Sequence, residues 1–290
     1  MTCDIVHRTV YSYSEPVTVS QHAARVEPRA LGRQRVEQFS LRIEPPPAVR
    51  KARMDYFGNR VCFFSIQELH SRLEIVAESR VTVADTARPA LSLSPPWEKV
   101  AQLFTDPVSP EVVEPYEFVF DSPFVRSLPV LADYARKSFT PGTPLLAGVL
   151  DLNGRIHGDF TYDKVATTVA TPVEEVMEKR RGVCQDFAHV AIAAVRSLGL
   201  AARYVSGYLR TRPPEGGPGV VGADASHAWF SVFCPDVGWV DFDPTNNVMP
   251  ETGHITLAYG RDFGDVSPIS GILTGGGKHN VNAGVTVSVL

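Results

Sequence analysis

Residues 182–200 read GVCQDFAHVAIAAVRSLGL, and how this stretch is read decides the fold. Phe187, Val190, Ala191, Ala194, Val195 and Leu198 recur at helical spacing, and Gly199 is placed to stop the helix. The period predicts one buried amphipathic helix. Cys184 stands at its first turn, off the apolar stripe and beside the amide groups that a helix start leaves unpaired. A reduced cysteine is commonly a small core hydrophobe. Here it also sits where the helix dipole and free N–H groups favour a thiolate and can face a developing oxyanion. Which role it has depends on what else the chain brings to it.

A nucleophilic thiol needs a base within reach and a group that orients the base. Downstream, ARYVSGYLR (202–210), SHAWFSVF (226–233) and GWVDFDPTN (238–246) read as strands of a small antiparallel sheet, the last two joined by a tight turn at Pro235–Gly238. An antiparallel pair sets the start of its first strand beside the end of its second. His227 is thereby expected to meet Asp243, whose carboxylate can hold the imidazole. Asp241, on the same strand face, is the rival acid.

Upstream, TPVEEVMEKRRG (171–182) predicts a short helix with Thr171 as cap, Pro172 at its first position and Glu174 completing a capping box. FVRSLPVLADYARKSF (124–139) and TPLLAGVLDLNGRIHGDF (143–160) also look helical. The first part alternates as β structure in IVHRTVYSY (5–13), FSLRIEP (39–45) and LEIVAESRVTVA (73–84), and DYFGNRVCFF (55–64) carries a Gly58-Asn59 hairpin signal. Prolines 89, 95, 96, 107, 110, 115 and 123 punctuate a connection with one helix candidate, WEKVAQLF (97–104). The expected class is α+β. An N-terminal antiparallel β domain (1–86) and a Pro-rich connection (87–120) precede a catalytic domain (121–290), in which HITLAYGRDFGDVSP and NVNAGVTVSVL supply C-terminal strands.

At 290 residues, 44% hydrophobic and 21% charged, the chain is long enough for two domains with real cores. A net charge of -4 without a Lys/Arg-rich run argues against a nucleic-acid partner. No stretch approaches the roughly 18 apolar residues of a membrane span. The opening MTCDIVHRTVYSYSEP lacks a basic start followed by an apolar segment, so the expected location is the cytoplasm. Cys3, Cys62, Cys184 and Cys234 are scattered, without a Cys-x-x-Cys pair, so reduced thiols are expected, with neither structural zinc nor a cofactor.

The stretches RRGVCQDFAHVAIAAVRSLGLAARYVSGYL, SHAWFSVF and GWVDFDPTN resemble three motifs of the transglutaminase-like superfamily of papain-fold thiol enzymes. YSYSEPV, VEPRA, DYFGN and VTVA are similar to the β domain that precedes this core in a bacterial branch. The resemblance implies a papain-like core, a Cys184–His227–Asp243 triad, and Asp243 rather than Asp241 as the acid, since the family's acid immediately precedes Pro-Thr. It also aligns Tyr162 with a tyrosine that lines the cleft or adds an oxyanion donor. Trp229 is open to two readings, cleft wall or core.

His189 reads as a packed or surface histidine and Asp186 as a helix-capping carboxylate. Cys3, Cys62 and Cys234 read as inert thiols, with Cys234, next to a turn, the most exposed. The loop TRPPEGGPG (211–219) reads as solvent-exposed. The expected function is a thiol hydrolase that cleaves peptide or isopeptide amides through an acyl-enzyme, acting on a peptide or protein. The alternatives are acyl transfer to an amine and non-catalytic peptide binding.

Overall fold

The computed structural model describes residues 1–105, 110–210 and 226–290, so the 211–219 loop lies outside the described residues. Its spine is β1 (Thr2–Ala24), which pairs with β4 (Arg60–Ile66) and β5 (His70–Val83); β2 (Gln34–Glu44) and β3 (Val49–Met54) form the flanks, in the order β2-β5-β1-β4-β3. Along β1, Cys3, Ile5, His7 and Thr9 are buried while Val6 and Arg8 face outward, the alternation a one-sided sheet imposes. The β3–β4 hairpin turns through Gly58 at φ +72°, a left-handed conformation that favours glycine.

The rest of the chain runs through α1 (Trp97–Leu103), α2 (Pro110–Tyr116), α3 (Pro129–Arg136), α4 (Leu145–Asp159), β6 (Thr161–Tyr162), α5 (Val173–Lys179), β7 (Arg181–Gly182) and α6 (Cys184–Arg196). It continues as β8 (Ala202–Leu209), β9 (His227–Cys234), β10 (Gly238–Phe242), β11 (His254–Gly260), α7 (Phe263–Val266), β12 (Ile269–Gly275) and β13 (His279–Val289). β10-β9-β8-β11 is a four-stranded antiparallel sheet. α6 lies between β8 and β9 on one side and α3, α4 and α5 on the other, with every residue from Asp186 to Arg196 buried. This is the α+β arrangement the sequence predicts.

Arg196 is the exception to the apolar stripe. Its guanidinium donates to the carbonyls of Ala202, Phe120 and Arg261 at 2.8–3.1 Å, and to Ser122 Oγ at 3.3 Å. Burial pulls its pKa down to about 10, and these acceptors are what make a charge tolerable there. It ties the end of α6 to the start of β8 and to two loops.

Three local expectations differ from the structure. The Pro-rich connection holds a second helix, α2, with Pro115 inside it. α5 begins at Val173 with Pro172 as its N-cap, and Thr171 Oγ1 accepts the Thr168 N–H at 2.8 Å instead of capping the helix. Of the C-terminal strands, β11 joins the catalytic sheet as expected, but β12 and β13 do not. β13 pairs with β1 over Cys3–Tyr13 and β12 over Val17–Ala24, completing the hydrogen bonding of β1.

The two sheets are joined by side-chain amides that act as pieces of strand. Gln34 accepts the Thr256 N–H at 2.8 Å and donates to the Thr256 carbonyl at 2.8 Å. Asn59, fully buried, does the same at Tyr259, both contacts being 2.8 Å. Together they satisfy the outer edge of β11. Replacing Asn59 with Ala orphans the buried N–H and C=O of Tyr259, at about 1–3 kcal/mol for each group. The expected outcome is a loss of about 3 kcal/mol in urea unfolding followed by circular dichroism; a loss below about 1 kcal/mol would show that water replaces the amide.

Candidate active site

Cys184 is the first residue of α6, and Val183 is the N-cap. The Val183 N–H donates to Asp186 Oδ2 at 2.8 Å, and the Thr167 hydroxyl donates to the same oxygen at 2.7 Å. Asp186 therefore closes the first turn, the capping role its position suggests. Burial raises its pKa, opposed by these two hydrogen bonds. Gly182 is needed for this closeness: a Cβ there would lie 2.5 Å from Asp186 Oδ2. Cys184 itself is half-buried and carries a free thiol.

The β9–β10 hairpin sets Phe242 opposite Phe230, so the residues that follow β10 lie beside the start of β9. His227 Nε2 and Asp243 Oδ2 are 2.8 Å apart. Cys184 is within hydrogen-bonding reach of the same imidazole. With Nε2 committed to the carboxylate, Nδ1 is the nitrogen left for the sulfur. The sequence-predicted Cys184, His227 and Asp243 thus come together from α6, β9 and the end of β10.

Asp243 is wholly buried and accepts from every side. Oδ2 faces His227, the Asn246 amide at 2.6 Å and His254 Nε2 at 3.0 Å. Oδ1 accepts the backbone N–H groups of Thr245 at 3.0 Å and Asn246 at 3.2 Å. Burial works against its charge, but the hydrogen bonds from the two histidines and Asn246, with the nearby His227 charge, hold it well below the usual carboxylate range. For His227, burial again opposes ionisation. Hydrogen bonds to Asp243 and Cys184, and the charges of both, outweigh it and push the imidazole up to about 10.

His254 and Asn246 are the site residues that sequence reading misses. His254 opens β11, eleven residues past Asp243, and nothing local in HITLAYG marks it. Ligand-type atoms of His227, Asp243 and His254 lie within 4.8 Å of one another. Both ring nitrogens face one carboxylate oxygen at hydrogen-bond distance, with an amide donor directed at it too, which is the pattern of a donor-filled network rather than of lone pairs converging on a cation.

Trp229 is fully buried, ring against the edge of His254 at 5.2 Å and 6.1 Å from His227. It backs the two histidines as core and does not wall an open cleft. Tyr162 is 46% exposed, paired through β6 with Gly182 just before Cys184, its ring edge-on to Phe187. Asp241 contacts Ser231 and Arg33 and is turned away from His227. His189 is buried, accepts the Phe263 N–H at 3.2 Å, and is lowered to about 3 by burial, then by Arg196. Cys234 corrects an expectation: it is fully buried, and burial, with Asp236, pushes its thiol up to about 11. Cys3 is equally buried, and Cys62, partly exposed, is the accessible rival to Cys184.

The shifts fix a pH signature. His227 binds its proton more tightly folded than unfolded, where its ordinary value is 6.5. Its contribution to stability is therefore complete below about pH 6.5 and lost as pH rises through about 10. Asp243 has the opposite sign: its contribution is present above its ordinary value of 3.8 and lost as pH falls. Melting temperatures measured from pH 6 to 10 should fall more steeply in the wild type than in His227→Gln; parallel curves would contradict the assignment.

Comparison with known proteins accords with this geometry. The model of the bacterial transglutaminase-like N-terminal region matches residues 3–82, and that of the transglutaminase-like superfamily matches residues 132–244. An uncharacterised protein of Mycobacterium tuberculosis is 39% identical over 287 residues, 96% of this chain and 89% of the relative. The protein-glutamine gamma-glutamyltransferase of Pseudomonas aeruginosa is 32% identical over 124 residues, 42% of this chain and 18% of the relative. The crystal structure of a candidate cysteine protease from Cytophaga hutchinsonii superposes with a TM-score of 0.75 at 22% identity, covering 99% of this chain and 90% of that one; at that identity it speaks for the fold. With both family regions matched in order and a relative aligned along nearly its whole length, the chain belongs to the transglutaminase-like superfamily.

Proposed function

We propose that the protein is a thiol hydrolase of peptide or isopeptide amide bonds. The observation that carries the reading is the buried Asp243 holding His227 at 2.8 Å while Cys184 lies within reach of the same ring. Cys184, its proton already held by His227, attacks the carbonyl carbon, and His227 gives that proton to the leaving amine as the amide C–N bond breaks. Water, deprotonated by His227, then attacks the acyl-enzyme; its thioester bond breaks and the acid is released. The backbone N–H of Cys184, at the start of α6, serves as a donor for the oxyanion, and the exposed Tyr162 flanks the approach. Resolution by water needs no second binding site.

The second reading is transfer of the acyl group to an amine, favoured by the similarity to the gamma-glutamyltransferase over 124 residues. Both readings use the same three residues. Non-catalytic peptide binding would leave the arrangement of Cys184, His227 and the buried Asp243 without a use.

Limiting iodoacetamide at neutral pH, read by mass spectrometry, should label Cys184 first, Cys62 more slowly, and leave the buried Cys3 and Cys234 protected. His227→Ala should slow labelling of Cys184, and equal labelling of Cys184 and Cys62 with no dependence on His227 would remove the nucleophile. In a peptide-library assay with a fluorescent primary amine present, hydrolysis yields new amino termini, whereas transfer yields fluorescent adducts. Cys184→Ala should abolish either product, and Asp243→Ala should lower kcat/KM by roughly 10²–10⁴-fold.

A further inference from the structure

We infer that His254 is a positioning residue for the reaction: a second imidazole that shares the Asp243 carboxylate with His227 and sets how that carboxylate holds the reactive ring. The inference rests on the Cys184–His227–Asp243 reading and deepens it. His254 is 5% exposed and acts through Asp243, without touching substrate. Its Nε2 stands 3.0 Å from the oxygen that His227 engages at 2.8 Å, and the two rings are 6.2 Å apart.

Its own placement is over-determined. The backbone N–H of His254 donates to the Glu251 carbonyl at 3.1 Å, its strand pairs with β8, and its ring stands edge-on to Trp229 at 85°. The far edge of β11 is held at Thr256 and Tyr259 by Gln34 and Asn59 of the other sheet. An imidazole so fixed keeps Oδ2 from following His227 when that ring moves between sulfur and leaving group. As a hydrogen-bond donor it also stabilises the ionised carboxylate.

The titratable groups around Asp243 are His227 from β9, His254 from β11 and Cys184 from α6. One layer out are His157 of α4, against the Thr245 carbonyl at 3.0 Å, and Asp241, paired with Arg33. Removing the His254 donor leaves a buried carboxylate with fewer hydrogen bonds to its charged form, so Asp243 protonates at higher pH.

The test is the pH profile of Cys184 alkylation in the full chain for the wild type, His254→Phe, His254→Gln and His227→Ala. His254→Phe should move the acid limb up by about one pH unit, and His254→Gln, which keeps an N–H donor, should return it towards the wild type. A folded His254→Phe with the wild-type limb, or Phe and Gln variants that behave alike, overturns the inference. If His227→Ala leaves alkylation unchanged, the nucleophile assignment fails instead, which separates the two. Should His254→Phe not fold, NMR of ¹⁵N-histidine protein decides: a slowly exchanging His254 Nε2–H that shifts in Asp243→Asn supports the inference, and its absence overturns it.

Discussion

The site depends on one buried negative charge. Asp243 has no exposed surface, and desolvation alone would drive it neutral, so the fold surrounds it with five donors from β9, β11 and its own turn. The donors come from three different elements. Once buried, the carboxylate keeps its charge because the hairpin, the Asp243–Asn246 turn and β11 are all in place, which makes the chemistry of His227 a reporter of the assembled sheet.

That assembly reaches beyond the catalytic sheet. β11 lies at its edge, and an edge strand needs partners for the N–H and C=O groups it presents. Gln34 and Asn59 supply them from the N-terminal sheet, and Arg33 adds contacts to Asp241 and to the Pro250 carbonyl. Cys3, Ile5, Val81 and Val83 of the N-terminal strands share one hydrophobic core with α6. The N-terminal region is thus a wall of the enzyme core and not a separate module on a linker.

What was legible in the sequence was local. Helical period and a terminal glycine place α6 and set Cys184 at its start, and a tight turn between two strands brings His227 to Asp243. His254 was not legible, because its meeting with Asp243 follows from the way β11 returns to the sheet, which no local pattern records. Arg196 was hidden likewise: it donates to carbonyls as far apart in sequence as Phe120 and Arg261. Cys234 was misjudged from its neighbouring turn, since it is the last residue of β9 and strand packing, not turn proximity, sets its exposure. The tail strands were legible as strands but not in their pairing, whose partner is at the other end of the chain.

The pairing of β1 with β12 and β13 has a consequence for biosynthesis. β1 is made before the whole catalytic sheet, and β12 and β13 after it, so the hydrogen bonding of β1 is completed only once all of that sheet has been made. Such long-range pairing is slow to form, and an uncovered β1 edge can recruit foreign strands in the interval. β12 and β13 therefore act as a seal: a chain lacking them carries a bare β1 edge open to aggregation or proteolysis, whatever the state of its active site.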